Sequence, residues 1–181
     1  MDFQQSQTYA NLLQAYDRQL RASTQYLIYG DIARQDGYRE IGNIFDDTAR
    51  NEITQAVTWL RFLNNGVLPV TLTNLSNAID SETSSANDLY RSFAQTARNE
   101  GFDDIAAIFN GVANIELNHT LDFQIQYDNI LRGQVFCKDT SVLWICMACG
   151  NILNGVCAPE ICPVCFNPQS YYRVYSINPP L

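Results

Sequence analysis

Four of the six cysteines occur as two C-x2-C pairs, within WICMACG and PEICPVC: Cys146 and Cys149, then Cys162 and Cys165. In each pair two thiolates can reach one ion, and the two pairs together complete a tetrahedral sulfur cage. Four cysteines that only pack in a core rarely show this spacing. The spacing therefore predicts a metal site. Zinc and iron both accept four thiolates, so the spacing leaves the choice of metal open.

A second set of ligand-type residues lies in two similar stretches, NEITQ (51–55) and IELNH (115–119). A Glu and a His three positions apart on a helix lie on one face, so Glu116 and His119 offer an oxygen and a nitrogen to the same place. The first stretch keeps the acid, Glu52, but carries Gln55 where the second carries the histidine. His119 is the only histidine in the chain.

These two stretches end an internal repeat. The segment ARQDGYREIGNIFDDTARNEITQ, from Ala33, overlays ARNEGFDDIAAIFNGVANIELNH, from Ala97, at an offset of 64 residues (97 minus 33). Two helix pairs related in this way are expected to pack about a pseudo-twofold axis. The repeat therefore predicts that Glu52 and Glu116 are opposed carboxylates in one core.

The elements that position these residues are helices. From Leu12 to about Leu131 apolar residues return every three or four positions, and breaks at Gly37, 66–69, Gly101 and Gly133 divide the region into four long segments. After Gly133 come all six cysteines and short β-prone runs. We expect a mainly α protein, with a four-helix bundle over residues 1–134 and a small β and metal-knuckle domain over 135–181.

Composition restricts the function. The 181 residues are 46% hydrophobic and carry a net charge of -8 with a single lysine, Lys138, which makes nucleic acid an unexpected partner.

No apolar run is long enough to span a bilayer, and the N-terminus does not resemble a signal peptide. A cytoplasmic location is the expectation, and in that reducing compartment cysteines favour metal over disulfides. Cys137 and Cys157, outside the cage pattern, are interpreted as spare reduced thiols rather than as residues with a regulatory role.

The cysteine region carries a resemblance to a known family. Trp144 precedes the first knuckle, Gly150 follows it, and Ala-Pro-Glu leads into the second knuckle, as in the rubredoxin-like tail of rubrerythrins. The resemblance covers nearly the whole chain. It implies one redox-active iron in the cage and a ferritin-like bundle, in which two Glu residues and two Glu-x-x-His motifs bind a pair of irons.

The same resemblance locates the bundle ligands and three departures from them. Gln19, Gln55 and Ser85 stand at the private ligands of one iron position, Glu82 and His119 at those of the other, and Glu52 and Glu116 at the bridging positions. Three carboxylates and a neutral imidazole carry a charge that suits one ion. We therefore expect one iron or other divalent metal bound by Glu52, Glu82, Glu116 and His119. A metal-free polar cluster and a two-metal site are the alternatives.

Rubrerythrins reduce hydrogen peroxide with their paired irons, while the cage iron relays electrons. The resemblance thus implies a non-haem iron protein for peroxide defence or electron transfer, with weak peroxidase activity because one metal position is lost. The alternative is a catalytically inactive structural or interaction protein with zinc or iron in its tail. A third possibility is oxidase chemistry at a single iron. A homodimer and a redox partner protein are the partners that the resemblance implies.

Overall fold

The structure is a computed structural model that describes residues 2–176. It contains helices α1 (Gln7–Gln35), α2 (Arg39–Leu63), α3 (Thr71–Ser84), α4 (Arg91–Asn99) and α5 (Asp103–Leu131), followed by strands β1 (Cys137–Cys146), β2 (Ile152–Cys157) and β3 (Tyr172–Val174). A π-helical segment, Ser85–Tyr90, joins α3 to α4 without a break. Four continuous helical segments followed by a small sheet confirm the predicted mainly α class.

The chain divides into two compact units, Met1–Val70 and Thr71–Leu181. Helices α1 and α2 pack together in the first, and α3, α4 and α5 pack together in the second. The helical part of the second unit ends at Leu131 and its first strand begins at Cys137. The predicted domain division at 134/135 stays a prediction. Within residues 2–176, none of the helices has both the length and the hydropathy of a membrane span.

The turns inside the two helix pairs are copies of each other. Gly37 and Gly101 have φ angles of +90° and +84°, a left-handed conformation that costs glycine little. Just after them, the backbone N–H of Tyr38 donates to Ala33 at 2.8 Å, and that of Phe102 donates to Ala97 at 2.8 Å. This is the hydrogen bond with which a glycine commonly ends a helix. The sequence repeat thus produces two equivalent helix ends.

The helix interfaces repeat as well. The buried residues of the first pair include Gly30, Ala33, Gly42 and Ala49, and those of the second include Ala94, Ala97, Ala106 and Ala113, each 64 positions later. Small side chains let helix backbones approach closely. Within each helix pair, the two helices are therefore held together by the same kind of contact.

Aromatic rings flank these small residues in the same arrangement. Tyr26 stacks on Phe45 with centroids 6.0 Å apart, and Tyr90 stacks on Phe109 at 6.2 Å. A third ring meets each stack edge-on, Tyr29 in the first pair at 5.7 Å and Phe93 in the second at 5.5 Å. Such geometry is favoured for aromatic side chains. The internal repeat predicted from the sequence is therefore a repeat of structure.

The small sheet has the strand order β2-β1-β3, with both pairings antiparallel. Its core contains two of the cage cysteines and their neighbours: Trp144, Cys146, Ala158, Cys162 and Tyr172. The Trp144 ring is fully buried, and its Nε1–H donates to the Gly155 carbonyl across the strand pair at 3.0 Å. The cage is thus built on the packed side of the sheet.

Cys137 and Cys157 form a disulfide, so the prediction that they are spare reduced thiols is wrong. The two residues are direct partners in the β1–β2 pairing, which brings their Cα atoms to 4.0 Å. Antiparallel pairing places opposite side chains side by side. Twenty residues separate them in the chain, and that separation alone gave no sign of the pairing.

Candidate metal centres

The four predicted cage thiols converge. The Sγ atoms of Cys146, Cys149, Cys162 and Cys165 all lie within 4.8 Å of one another. Cys146 and Cys165 are 3.7 Å apart at sulfur, and so are Cys149 and Cys162. A tetrahedral ion with metal–sulfur bonds of about 2.3 Å requires sulfur–sulfur edges of about 3.8 Å. The thiols therefore fit a tetrahedral metal ion of the zinc or iron type.

The two knuckles are equivalent, 16 residues apart. The backbone N–H of Gly150 donates to the Cys146 carbonyl at 2.8 Å, and that of Phe166 donates to the Cys162 carbonyl at 3.0 Å. Both donors are in the left-handed region, with φ of +77° and +60°. Gly150 adopts this conformation easily, whereas Phe166 carries its steric cost. The same tight turn thus presents both cysteine pairs.

Hydrogen-bond donors around the second knuckle favour thiolates. The buried Tyr172 hydroxyl, which makes no hydrogen bond of regular geometry but lies near the thiol, acts with backbone N–H groups of the knuckle to lower the pKa of Cys162 to about 6 despite burial. The Asn167 side-chain amide donates to Cys165 Sγ at 3.3 Å, and the Asn167 side chain and backbone lower the pKa of that thiol. Donors directed at sulfur stabilise its charged form. Two of the four ligands are thus prepared for a cation.

The first knuckle behaves differently. A backbone hydrogen bond from Asn151 favours the Cys149 thiolate, but desolvation and the neighbouring thiols outweigh it and raise the pKa of Cys149 to about 12. Four thiolates this close cannot all be charged without a cation between them. A metal ion would therefore displace the Cys149 proton on binding.

A second cluster lies between α3 and α5. Glu82 stands near the end of α3, and Glu116 and His119 lie one turn apart on α5. The His119 Nδ1 atom is 3.2 Å from Glu116 Oε2 and 3.4 Å from Glu82 Oε2. One ligand atom from each residue lies within 4.8 Å of the other two. Three of the four predicted bundle ligands thus meet in one place.

The protonation of this cluster is shared. The hydrogen bond with Glu116, followed by desolvation, raises the pKa of Glu82, and the same bond lowers the pKa of Glu116. The hydrogen bond with Glu116 and the contact with Glu82 raise the pKa of His119. Two carboxylates and an imidazole therefore hold protons between them, as closely spaced acids do. Oxygen and nitrogen ligands of this kind suit a divalent ion, which could replace those protons.

The equivalent place in the first helix pair holds amides. Gln19 Nε2 donates to Gln55 Oε1 at 2.7 Å, joining α1 to α2. The two glutamines satisfy each other, which weakens them further as metal ligands. Glu52 is half-buried on α2, in the unit Met1–Val70. Its place as a fourth ligand beside Glu82, Glu116 and His119 stays a prediction.

Ser85, predicted at a lost ligand position, is half-buried and is the first residue of the π-helical segment. Segments of this kind are frequent at functional sites. The sequence reasoning missed two residues that act on the cage, Tyr172 and Asn167. Asn167 follows Cys165 by two positions and could have been found by inspecting polar residues beside each knuckle. Tyr172 stands in a β-prone run, where no motif distinguishes it.

Comparisons with known proteins agree with this geometry. The family profile "Rubrerythrin" matches residues 73–130, and the profile "Rubrerythrin, rubredoxin-like domain" matches residues 144–173. Rubrerythrin of Clostridium perfringens is 38% identical over 94% of this chain and 95% of its own length. Rubrerythrin-1 of Clostridium acetobutylicum is 36% identical over 96% of both chains.

A solved structure of nigerythrin in its fully reduced, all-ferrous state covers 94% of this chain and 87% of its own, with 24% identity and a TM-score of 0.36. At that TM-score the superposition adds nothing to the sequence relationship. The near-complete coverage by the clostridial relatives, together with the two profiles, confirms the resemblance and the predicted succession of a ferritin-like region and a rubredoxin-like region. The chain belongs to the rubrerythrin family.

Proposed function

We propose that this protein is a non-haem iron protein of the rubrerythrin type that transfers electrons and reduces hydrogen peroxide weakly. In this proposal the four-cysteine cage binds one iron and the helical region binds one further metal ion, iron or another divalent metal. Iron, when bound, supplies one-electron redox chemistry at each site. The chain holds the ions, neutralises their charge and controls the protons of their ligands.

The observation that carries the proposal is the contrast between the two helix pairs. Gln19 and Gln55 hydrogen-bond to each other at 2.7 Å, whereas the equivalent part of the second pair presents Glu82, Glu116 and His119 with their ligand atoms together. Neutral amides compensate little of the charge of a cation, while two carboxylates and an imidazole compensate most of it. This supports one metal position in the helical region rather than two.

The residues of the second cluster also suit proton handling. A metal ion there would displace the protons that Glu82 and Glu116 share, and His119 is 49% exposed at its side chain. In the metal-free cluster this imidazole can exchange a proton with water near neutral pH. A bound metal ion would keep His119 neutral, so the two protons that reduction of peroxide to water consumes would come from water at the exposed edge of the site.

We propose a homodimer as the working form, together with a redox partner protein and a cytoplasmic location. Ile44 and its repeat equivalent Ile108 are 56% and 64% exposed in the described chain. Exposed apolar side chains at matching places on both helix pairs support burial by association. Native mass by light scattering checks this: a single-chain mass at micromolar concentration would contradict it.

Metal content tests the central proposal. We expect the purified protein from iron-supplied cells to contain one metal in the cage and one in the helical region. The triple substitution Gln19→Glu, Gln55→His and Ser85→Glu should add one further metal and raise the rate of peroxide consumption. Gln14→Glu, which adds an acid at an exposed site five residues before Gln19 on α1, is the matched control and should change neither quantity.

Two outcomes would change the conclusion. Three metals in the unmodified protein would show that the glutamines do not prevent a pair from binding. A cage filled with zinc and no metal at Glu82, Glu116 and His119 would favour the catalytically inactive, structural alternative. Oxidase chemistry at a single iron predicts a measurable turnover that Glu82→Ala abolishes, and an unchanged rate would exclude this cluster as its source.

A further inference from the structure

The disulfide closes the end of the β1–β2 pair where regular pairing has already lapsed. The ladder runs from Ile145 opposite Ile152 to Val142 opposite Gly155. The next pair is Cys137 opposite Cys157, so residues 138–141 of β1 face a single residue of β2. A bulge of this kind leaves backbone groups without ladder partners. At this end the strands therefore meet only at the Cys137–Cys157 pair, through its two sulfurs and the backbone hydrogen bond beside it.

Hydrogen bonds also hold the chain between the disulfide and the cage. The backbone N–H of Ala158 donates to the Phe136 carbonyl at 2.8 Å, directly beside the disulfide. Ala158 is buried against Cys162, and Gln169 Nε2 donates to its carbonyl at 2.6 Å. The cage side of the module therefore has contacts of its own and does not depend on the sulfur–sulfur bond.

Side-chain hydrogen bonds also join the bulge in β1 to the end of α5 and the loop after it. Lys138 Nζ donates to Asn129 Oδ1 at 3.0 Å, and Gln134 Nε2 donates to Asp139 Oδ1 at 2.9 Å. These contacts hold the bulge against the end of α5 and the loop after it. Opening the disulfide would therefore free only the chain around Cys137 and Cys157, while the β1–β2 ladder from Val142 to Ile145 stays paired.

The two cysteines differ in access. Cys157 is exposed and Cys137 is half-buried. Exposed disulfides are attacked readily by thiolates, and the accessible sulfur is the one attacked. The four cage thiols, by contrast, face one another and would be protected by a bound metal.

We propose that Cys137–Cys157 is a reversible thiol–disulfide site that accepts dithiol reductants at Cys157 and is closed again by hydrogen peroxide. It is separate from the cage and does not depend on which metal the cage holds. Its substrate class is the dithiol, either a small molecule or a protein with two neighbouring thiols.

The opening step is an exchange. A reductant thiolate attacks the Cys157 sulfur, an intermolecular sulfur–sulfur bond forms, and Cys137 leaves as a thiolate that takes up a proton. The second reductant thiol then attacks its own sulfur in the mixed disulfide and releases Cys157 as a thiol. The reductant loses two electrons and two protons, and the protein gains them.

Closing reverses the electron flow. The Cys157 thiolate attacks one oxygen of hydrogen peroxide, the oxygen–oxygen bond breaks, and hydroxide leaves and becomes water. The resulting sulfenic acid is attacked by Cys137, which forms the disulfide and releases a second water. Two thiols and one peroxide thus give one disulfide and two waters.

Alkylation of the metal-loaded protein tests the site. Dithiothreitol is added under conditions that leave the absorbance of the cage unchanged, and iodoacetamide followed by peptide mass spectrometry then locates free thiols. We expect labelling of Cys137 and Cys157, with the cage cysteines unlabelled, and loss of that labelling after peroxide is added. No labelling before the cage loses its metal would mean that the bond is a permanent structural link and would overturn the proposal.

Single variants test the direction of attack. In Cys137→Ser the remaining Cys157 should react with iodoacetamide several-fold faster than Cys137 does in Cys157→Ser. The rates should become equal in denaturant, which serves as the control for intrinsic reactivity. Equal or reversed rates in the folded protein would overturn the assignment of Cys157. If either variant fails to fold, the labelling of the unmodified protein still decides whether the site is reversible.

Discussion

A single added methyl group should separate the close helix contact of α1 and α2 from an open helix position. A Cβ atom at Gly42 would lie 2.9 Å from Arg34 Cγ and 3.0 Å from the Gly30 carbonyl oxygen. Arg34 cannot move away freely, because its guanidinium bonds to Asp31 at 2.6 Å and to Asp46 at 2.8 Å. The Gly30 oxygen belongs to the backbone of α1. We therefore expect Gly42→Ala to push the two helices apart.

The magnitude follows from a comparison with Gly111, which lies within α5 and where an added Cβ atom would have nothing within 4 Å. Alanine gains about 0.5–1 kcal/mol over glycine in a helix at either site. Overpacking costs about 1–3 kcal/mol, and only Gly42→Ala incurs it. The two variants should therefore differ by about 1–3 kcal/mol in free energy of unfolding, with Gly111→Ala the more stable. That difference corresponds to about 2–12 °C in Tm for a chain of this size.

Thermal unfolding followed by helical circular dichroism measures both variants beside the unmodified protein, at one metal loading and one protein concentration. Gly111→Ala should melt at or slightly above the unmodified protein, and Gly42→Ala should melt below Gly111→Ala. Equal melting temperatures for the two variants would refute the reasoning, because they would mean that α1 and α2 accommodate the methyl group without separating.

Three further predictions concern the metal centres. Tyr172→Phe removes the hydroxyl that stabilises the Cys162 thiolate, so the pKa of that thiol should rise. Protons should then displace the cage metal at a higher pH in an acid titration followed by absorbance, and an unchanged midpoint would contradict this. Glu82→Gln should lower the pKa of His119 in the metal-free protein, because His119 loses one of its two carboxylate partners. NMR titration of this sole histidine measures its pKa directly, and an unchanged or higher pKa would exclude the contact with Glu82. Phe166→Gly should slow metal release to a chelator, because a left-handed φ of +60° costs a 79% exposed phenylalanine about 1–2 kcal/mol more than glycine. Faster release would show that the ring itself stabilises the knuckle.

The cysteines show what a sequence does and does not specify. The cage thiols could be predicted because each pair is contained in four consecutive residues, where chain geometry alone brings the sulfurs together. The Cys137–Cys157 pair depends on the register of β1 against β2 across a bulge. Register is set by the whole strand pair. No local spacing encodes it, and the reducing compartment expected for this chain predicts free thiols where the two cysteines form a disulfide.

The helical ligands divide along a similar line. Glu116 and His119 share one turn of α5, so their proximity follows from helix periodicity. Glu82 joins them only because α3 packs against α5, and the family resemblance, not the periodicity of the sequence, supplied that expectation. The hydrogen bond between Gln19 and Gln55 joins two helices across 36 positions of the chain, which the periodicity of neither helix specifies.

The π-helical segment Ser85–Tyr90 explains a change of spacing within the repeat. Gln19 contacts Gln55 and Glu82 contacts His119, so Gln19 corresponds to Glu82 at an offset of 63 residues (82 minus 19). The other correspondences between the two helix pairs, including the tyrosines that stack beside the helix interfaces, have an offset of 64. The third helical segment therefore carries one inserted residue between its ligand and its tyrosine.

A helix turns by about 100° per residue, so an insertion absorbed as regular α-helix would rotate the preceding ligand out of phase with the tyrosine. A π-helical turn, whose hydrogen bonds span five residues instead of four, takes up the added residue locally. Because of this wider turn, Glu82 points toward His119 while Tyr90 still meets Phe109. The π-helical turn therefore allows the third helical segment to carry one more residue than the first and still direct its ligand and its tyrosine toward α5.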